Sequence, residues 1–274
     1  MEIKISEEDR LLPNKLRINV LEMISNAGSS HVGSAFSIAE ILTVLYSGIL
    51  NISAENVKEN NRDRIIISKG HAVAILYAIL AEKGFFPKEW LDSFYKNDTI
   101  LAGHATSKNI PGIELSTGSL GHGLSVGCGM AYNSLLDNLN FRVVVLMSDG
   151  ECNEGSVWEA IMFAGHHKLN NLLVIVDYNK IQSLGHTKDI LDLEPFVDKW
   201  KAFRWNVKEI DGHNIDEIYN AVSVRSEMPT VIIAHTIKGK GVSFMEDTVL
   251  WHYRTPKGDE LKEALIEINN QSII

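Results

Sequence analysis

Residues 141–150 read FRVVVLMSDG, and residues 172–179 read LLVIVDYN. Both runs are apolar and rich in β-branched side chains, with no polar alternation. Such runs are strands buried on both faces, as in a parallel sheet. Phe141–Ser148 and Leu172–Val176 therefore anchor the fold. Three further short runs, Arg64–Ser68, Trp205–Ile210 and Thr230–His235, read as strands of the same sheet. Helical segments separate them. The stretch up to Ala27 places Leu16, Val20, Met23 and Ile24 on one face, with Pro13 as a point of kinking or restart. Ser37–Ile49 reads as a helix with Ser37 as N-cap and Glu40 completing a capping box. Gly70–Lys83, Val157–His167 and Ile215–Val222 are also helical by pattern. Strands alternating with amphipathic helices give an α/β fold, a doubly wound and mostly parallel sheet with helices on both faces.

The chain has 274 residues, 45% of them hydrophobic and 22% charged. No repeat, low-complexity tract or linker divides it, so residues 1–274 read as a single domain. The net charge of −9 gives no reason to expect nucleic acid or an anionic membrane as partner. No apolar run approaches the roughly 18 residues of a membrane span, and no segment has the pattern of a secretory leader. Cys128 and Cys152 lie in no metal-binding spacing and read as reduced, buried thiols. A cytoplasmic protein is expected.

In open parallel sheets, ligands gather at the carboxyl ends of the strands. That rule selects Ser68–His71, Ser148–Glu154, Asp177–Ile181 and His235–Gly241. Asp149-Gly150 closes one strand. The carboxylate suits a cation, and the glycine lets a phosphate approach the backbone. Alone, an Asp-Gly pair is most often a turn. Asn179 closes the next strand, and adjacent parallel strands would set it beside Asp149. One carboxylate, one amide oxygen and one backbone carbonyl suit magnesium, which draws its other ligands from phosphate and water.

Four histidines stand in distinctive settings: His31 in SSHVG, His71 in SKGH, His104 in AGH and His252 in WHY. Each alone is an ordinary loop histidine. Together with Asp149 and Asn179, the set resembles the diphosphate-binding domain of the transketolase family. The resemblance runs over roughly residues 10–256 and is carried by ordered motifs. These are SSHVGSAFSIAEIL near the start, DRIIISKGHA at 63–72 and GHATSKNIPGIELSTGSLGHGLSVGCGMA at 103–131. SDGECNEGSVWEA at 148–160, VDYNKIQSLG at 176–185, DGHN at 211–214 and AHTIKGKGVSFMED at 234–247 follow.

The resemblance implies thiamine diphosphate held through Mg2+, with Ca2+ or Mn2+ as substitutes. Asp149, Asn179 and the Ile181 carbonyl would hold the metal. Gly150, His71 and His252 would meet the diphosphate, and Gly118, Ser119 and Leu120 the aminopyrimidine. His31, His104 and His252 would face the substrate, and Glu154 would meet an acid of another subunit. Val32, His122 and Ser148 stand where relatives commonly carry Pro, Gln and Gly; none is a ligand position, and they bear on substrate preference. Gly121, Gly123, Gly127 and Gly129 read as a close-packed helix face.

Transketolases are normally more than twice this length, and a glutamate of their pyrimidine-binding domain activates the cofactor. The implied enzyme is therefore split. A second chain would carry the pyrimidine-binding and C-terminal domains, and the pair would dimerise into a heterotetramer. Its reaction would move a two-carbon ketol unit from a ketose, often phosphorylated, to an aldose or aldose phosphate. The alpha subunit of a 2-oxoacid dehydrogenase and a non-catalytic binder of the same cofactor are the alternatives. SKGH, STGSLGHG and DGHN argue against the former, and intact ligand positions against the latter.

Overall fold

The computed structural model describes residues 5–271. Five strands, β1 (Arg64–Ile67), β2 (Val143–Ser148), β3 (Leu172–Tyr178), β4 (Asn206–Asp211) and β5 (Thr230–His235), form one sheet in the order β1-β2-β3-β5-β4. Every pairing is parallel. All residues of β2 and β3 are buried, as their unbroken apolar runs require. β4, at an edge, is half exposed and carries Lys208 and Glu209.

The helices are α1 (Glu7–Ala27), α2 (Val32–Phe36), α3 (Ala39–Val44), α4 (Val73–Glu82), α5 (Gly123–Leu136), α6 (Gly155–His166), α7 (Thr187–Ile190), α8 (Phe196–Ala202), α9 (Ile215–Ser223) and α10 (Asp259–Gln271). Val143, Val145 and Met147 face a core shared with α5, α6 and α8. Val144 and Leu146 point the other way, into a core built with α1, α3, α4, α9 and α10. The period-two alternation of side chains along β2 thus feeds two cores, one on each face of the sheet. No described helix is long and apolar enough to cross a membrane.

Three local expectations change. Pro13 lies inside α1 without ending it. It forgoes one i→i−4 bond, and buried Leu12, Leu16 and Val20 hold the helix on either side. Ser37 caps nothing. Its segment divides into α2 and α3, the N-cap position of α3 is Ile38, and a wider turn over Leu45–Ile49 follows. The Ser37 hydroxyl instead donates to Asp177 at 2.7 Å, and Glu40 turns to Arg17 and His213. A buried carboxylate is the stronger acceptor for that hydroxyl, so tertiary contact overrides the local capping pattern.

The glycine run also divides. Gly123 and Gly127 form the close-packed face of α5: a Cβ on Gly127 would lie 2.6 Å from Val145 Cγ2, and one on Gly123 would overlap the Ser68 side chain. Gly129 faces open space on the far side of the helix. Gly121 precedes α5 in a left-handed turn with φ of 86°.

Candidate active site

The carboxyl ends of β1, β2, β3 and β5 converge on a cavity of about 220 Å³. β2 stops at Ser148, and Asp149 begins a tight turn over Gly150–Asn153 that leads into α6. The buried Asp149 carboxylate accepts the Gly150 N–H at 2.7 Å through Oδ1 and the Lys180 N–H at 2.5 Å through Oδ2. The second bond crosses from the loop after β3, so the register pairing Ser148 with Asp177 brings the two loops together. Asn179 donates its amide N–H to Asp177 at 2.9 Å, while its Oδ1 accepts from the Ile181 N–H at 3.1 Å. Burial, and then the nearby Asp177 charge, push the Asp149 carboxyl up to about 7. A bound cation would relieve that cost. Among the described residues no three His, Cys, Asp or Glu side chains cluster as a metal site. One carboxylate with an amide and a carbonyl fits a cation that brings phosphate oxygens with it.

The four histidines meet over this platform. The His31 ring lies 5.0 Å from His252, 5.3 Å from His71 and 5.9 Å from His104. His31 reaches that position in a left-handed conformation, φ 75°, immediately before α2. Burial, with the neighbouring His104, holds its pKa down to about 4; burial, with Lys238, takes His252 to about 3. Both are neutral imidazoles at pH 7, each able to donate from one nitrogen and accept at the other.

Beneath the cavity sits a buried polar hub. Asp177 is wholly inaccessible and accepts from Ser37, Asn179, Thr236 and the Lys69 ammonium. Burial works to raise its pKa, but Lys69 and the other donors bring it below the usual carboxylate range. Glu151, equally buried, accepts from the Ser68 hydroxyl and, at 2.9 Å, from the Gly121 N–H. It thereby joins the end of β1, the turn before α5 and the Asp149 loop.

Residues 8–269 match the model of the transketolase, thiamine diphosphate binding domain. The chain belongs to the transketolase family. It is 40% identical to one of the subunits of the apulose-4-phosphate transketolase of Phocaeicola vulgatus, over 95% of this chain and 94% of that one. It is 42% identical to the 6-deoxy-6-sulfo-D-fructose transketolase subunit SqwG of Clostridium sp. MSTE9, over 94% of this chain and 95% of that one. The solved transketolase of Campylobacter jejuni superposes with a TM-score of 0.88 at 30% identity, over 96% of this chain and 43% of that longer one.

Within this transketolase-family cavity the wall includes Asp149, Gly150, Asn179 and Ile181. It also includes His31, His71, His104 and His252, with Gly118 and Leu120 from the loop before α5. Ser119 and Glu154 are exposed and do not line it. Glu154 sits instead at the N-cap of α6. The strand-end segments selected from the sequence contain four buried groups to which no role was given: Lys69, Asp177, Lys238 and Glu151. A signal existed for the first two. A charge set at the end of an otherwise apolar strand is costly unless paired, so Lys69 after IIIS and Asp177 after LLVIV each imply a partner. Beyond their place in the loops after β2 and β5, nothing local marked Glu151 or Lys238.

Proposed function

We propose that this chain, as one domain, holds the diphosphate half of thiamine diphosphate through a divalent cation, Mg2+ or a substitute such as Ca2+ or Mn2+. In this reading it works as one half of a two-chain transketolase. The observation that carries the reading is the meeting of Asp149, Asn179 and four histidines at the carboxyl ends of adjacent strands, in a transketolase-family chain. Asp149, Asn179 and the Ile181 carbonyl hold the cation. Gly150, His71 and His252 meet the diphosphate. Gly118, Ser119 and Leu120 face the aminopyrimidine. Thiamine diphosphate, when bound, supplies the electron sink for making and breaking a carbon–carbon bond beside a carbonyl.

The chain's own residues orient the substrate. His31 and His104 donate to its carbonyl and hydroxyl oxygens, and His252 lies between substrate and cofactor. Exposed Ser119 and Glu154 are then positions that a partner chain covers, Glu154 against an acid of that chain. Both relatives named as subunits support a partner, which would carry the pyrimidine-binding and C-terminal domains, with the pair dimerising as a heterotetramer. Phosphorylated or sulfonated sugars are named in those relatives and set the substrate class to try first: a ketose donor and an aldose acceptor. Two free, buried cysteines agree with action in the cytoplasm.

The test is to isolate the tagged chain from its own cells, identify the co-eluting protein, and assay the pair for ketol transfer with thiamine diphosphate and magnesium. Transfer by the pair and by neither chain alone is expected. A chain that elutes alone, and that gives no transfer with any chain bearing pyrimidine-domain motifs, would overturn the reading.

A further inference from the structure

The DGHN motif at 211–214 contributes no residue to the cavity wall, yet each of its residues is committed to a contact. It closes β4. The Asp211 carboxylate accepts the His213 N–H at 2.8 Å, and the Asn214 side chain caps α9 by accepting from the Asp216 and Glu217 N–H groups. A Cβ on Gly212 would lie 2.4 Å from Thr236 Cγ2, so this turn packs directly on the loop that leaves β5. His213 turns its side chain inward, leaving 12% of it exposed.

The His213 ring joins two distant parts of the chain. Its Nε2 accepts the Ile237 N–H at 2.8 Å, and its Nδ1 lies 3.0 Å from the Glu40 carboxylate. A backbone amide can only donate, so Nε2 carries the lone pair and the ring proton sits on Nδ1, facing Glu40. A carboxylate on one ring nitrogen fixes the tautomer and makes the other nitrogen a better acceptor. Glu40 is held in turn by the buried Arg17 guanidinium at 2.8 Å, which also donates to the Phe36 carbonyl at 3.1 Å.

The ladder between β3 and β5 ends at Thr236, whose N–H donates to the Tyr178 carbonyl at 3.4 Å. Ile237 is the first amide beyond the sheet, and His213 is its acceptor. The next residue, Lys238, turns into the cavity, where its ammonium donates to the Ile181 carbonyl at 2.9 Å. Farther along, Gly241 takes a φ of 99° and runs against Arg17: a Cβ there would lie 3.2 Å from Arg17 Cδ. The loop after β5 thus rests on the Arg17–Glu40–His213 cluster at two points. We propose that His213 is a positioning residue: held by Glu40 with its proton on Nδ1, it takes up the first amide after β5 and sets the loop that delivers Lys238 to the cavity wall. It acts on the cavity through the backbone of Ile237.

The experiment is NMR on the 15N-labelled full chain, without cofactor, at neutral pH. The His213 ring nitrogens are assigned by their absence in H213N. The expected wild-type spectrum shows a protonated Nδ1 and an unprotonated Nε2. Two variants then separate the two contacts. Gln reaches the position of Nε2 and offers Ile237 an acceptor oxygen; Asn, one carbon shorter, keeps a donor for Glu40 alone. Amide exchange at Ile237 is expected to quicken at least about tenfold in H213N, the cost of an unpaired donor, and to stay near wild type in H213Q. Affinity for thiamine diphosphate in magnesium buffer, by calorimetry, is expected to fall about tenfold in H213N and to be largely kept in H213Q. A wild-type His213 with its proton on Nε2 would overturn the proposal even if no variant folds. So would unchanged Ile237 exchange in H213N, or equal quickening in the two variants. Quickened exchange in H213N with unchanged cofactor affinity would overturn the positioning role. Only the affinity readout rests on the function proposed above: failure of wild type to bind the cofactor would count against that function, while the tautomer and exchange readouts still decide the anchoring of the loop.

Discussion

The His31 N–H donates to the His252 carbonyl at 2.9 Å, joining the first and last histidines of the site. That bond fixes the backbone of a residue whose φ of 75° is unfavourable for any side chain but glycine. The strain is local, and its effect is to turn the His31 ring over the end of the sheet, beside His71, His104 and His252. Segments from opposite ends of the chain thus close one cavity.

Asp149 is the only carboxylate assigned to the cation. Replacing it with alanine is expected to lower magnesium-dependent affinity for thiamine diphosphate at least about a hundredfold, since even losses behind the ligands cost 10–100-fold. Calorimetry in magnesium buffer decides it. Unchanged affinity would remove Asp149 from the metal site.

His104 stands against Gly118 in the cavity wall, its ring at 3.3 Å from where a Gly118 Cβ would lie, and is proposed to face the substrate. His104→Ala, assayed with the partner chain, is expected to keep cofactor affinity within about threefold and to lower kcat by about 10²–10⁴, the range of general acid–base contributions. A collapse of cofactor affinity would make His104 a cofactor ligand instead.

Asp177 and Lys69 form a fully buried ion pair. Asp177→Ala leaves the ammonium without its partner and is expected to cost about 3–5 kcal/mol of stability. The double replacement Lys69→Met with Asp177→Leu is expected to cost less than the single one. Denaturant unfolding of the three proteins tests this, and a double variant no more stable than the single one would refute the pairing.

Gly127→Val drives new carbon atoms into Val145, whose Cγ2 already lies 2.6 Å from the Cβ position. A loss of about 1–3 kcal/mol is expected, seen as a fall of several degrees in Tm. Gly129→Ala, on the open side of α5, is the control and is expected to hold or raise Tm. Equal effects at the two positions would contradict the packing of α5 on β2.

What the sequence by itself determined is what local chemistry dictates. Apolar runs such as VVVLM and LLVIV have no stable form except strands covered on both faces, so the parallel sheet followed from them. The strand-end rule then selected Asp149, Asn179 and the loops around them. The histidines in SSHVG, SKGH, AGH and WHY were added by their settings and by the resemblance. Tertiary structure decided whatever depends on which group is the better partner across space. Ser37 had a capping pattern beside it in sequence, but Asp177 offered a buried charge, and a charge-assisted bond outweighs a cap. Gly129 shares a sequence run with Gly127, but the helical period sends the two to different faces of α5. The roles of Lys238 and Glu151, both within the selected loops, were hidden for the same reason. Their neighbours in sequence leave their side chains unconstrained, and their roles exist only where β1, β2, β3 and β5 bring distant donors and acceptors within reach.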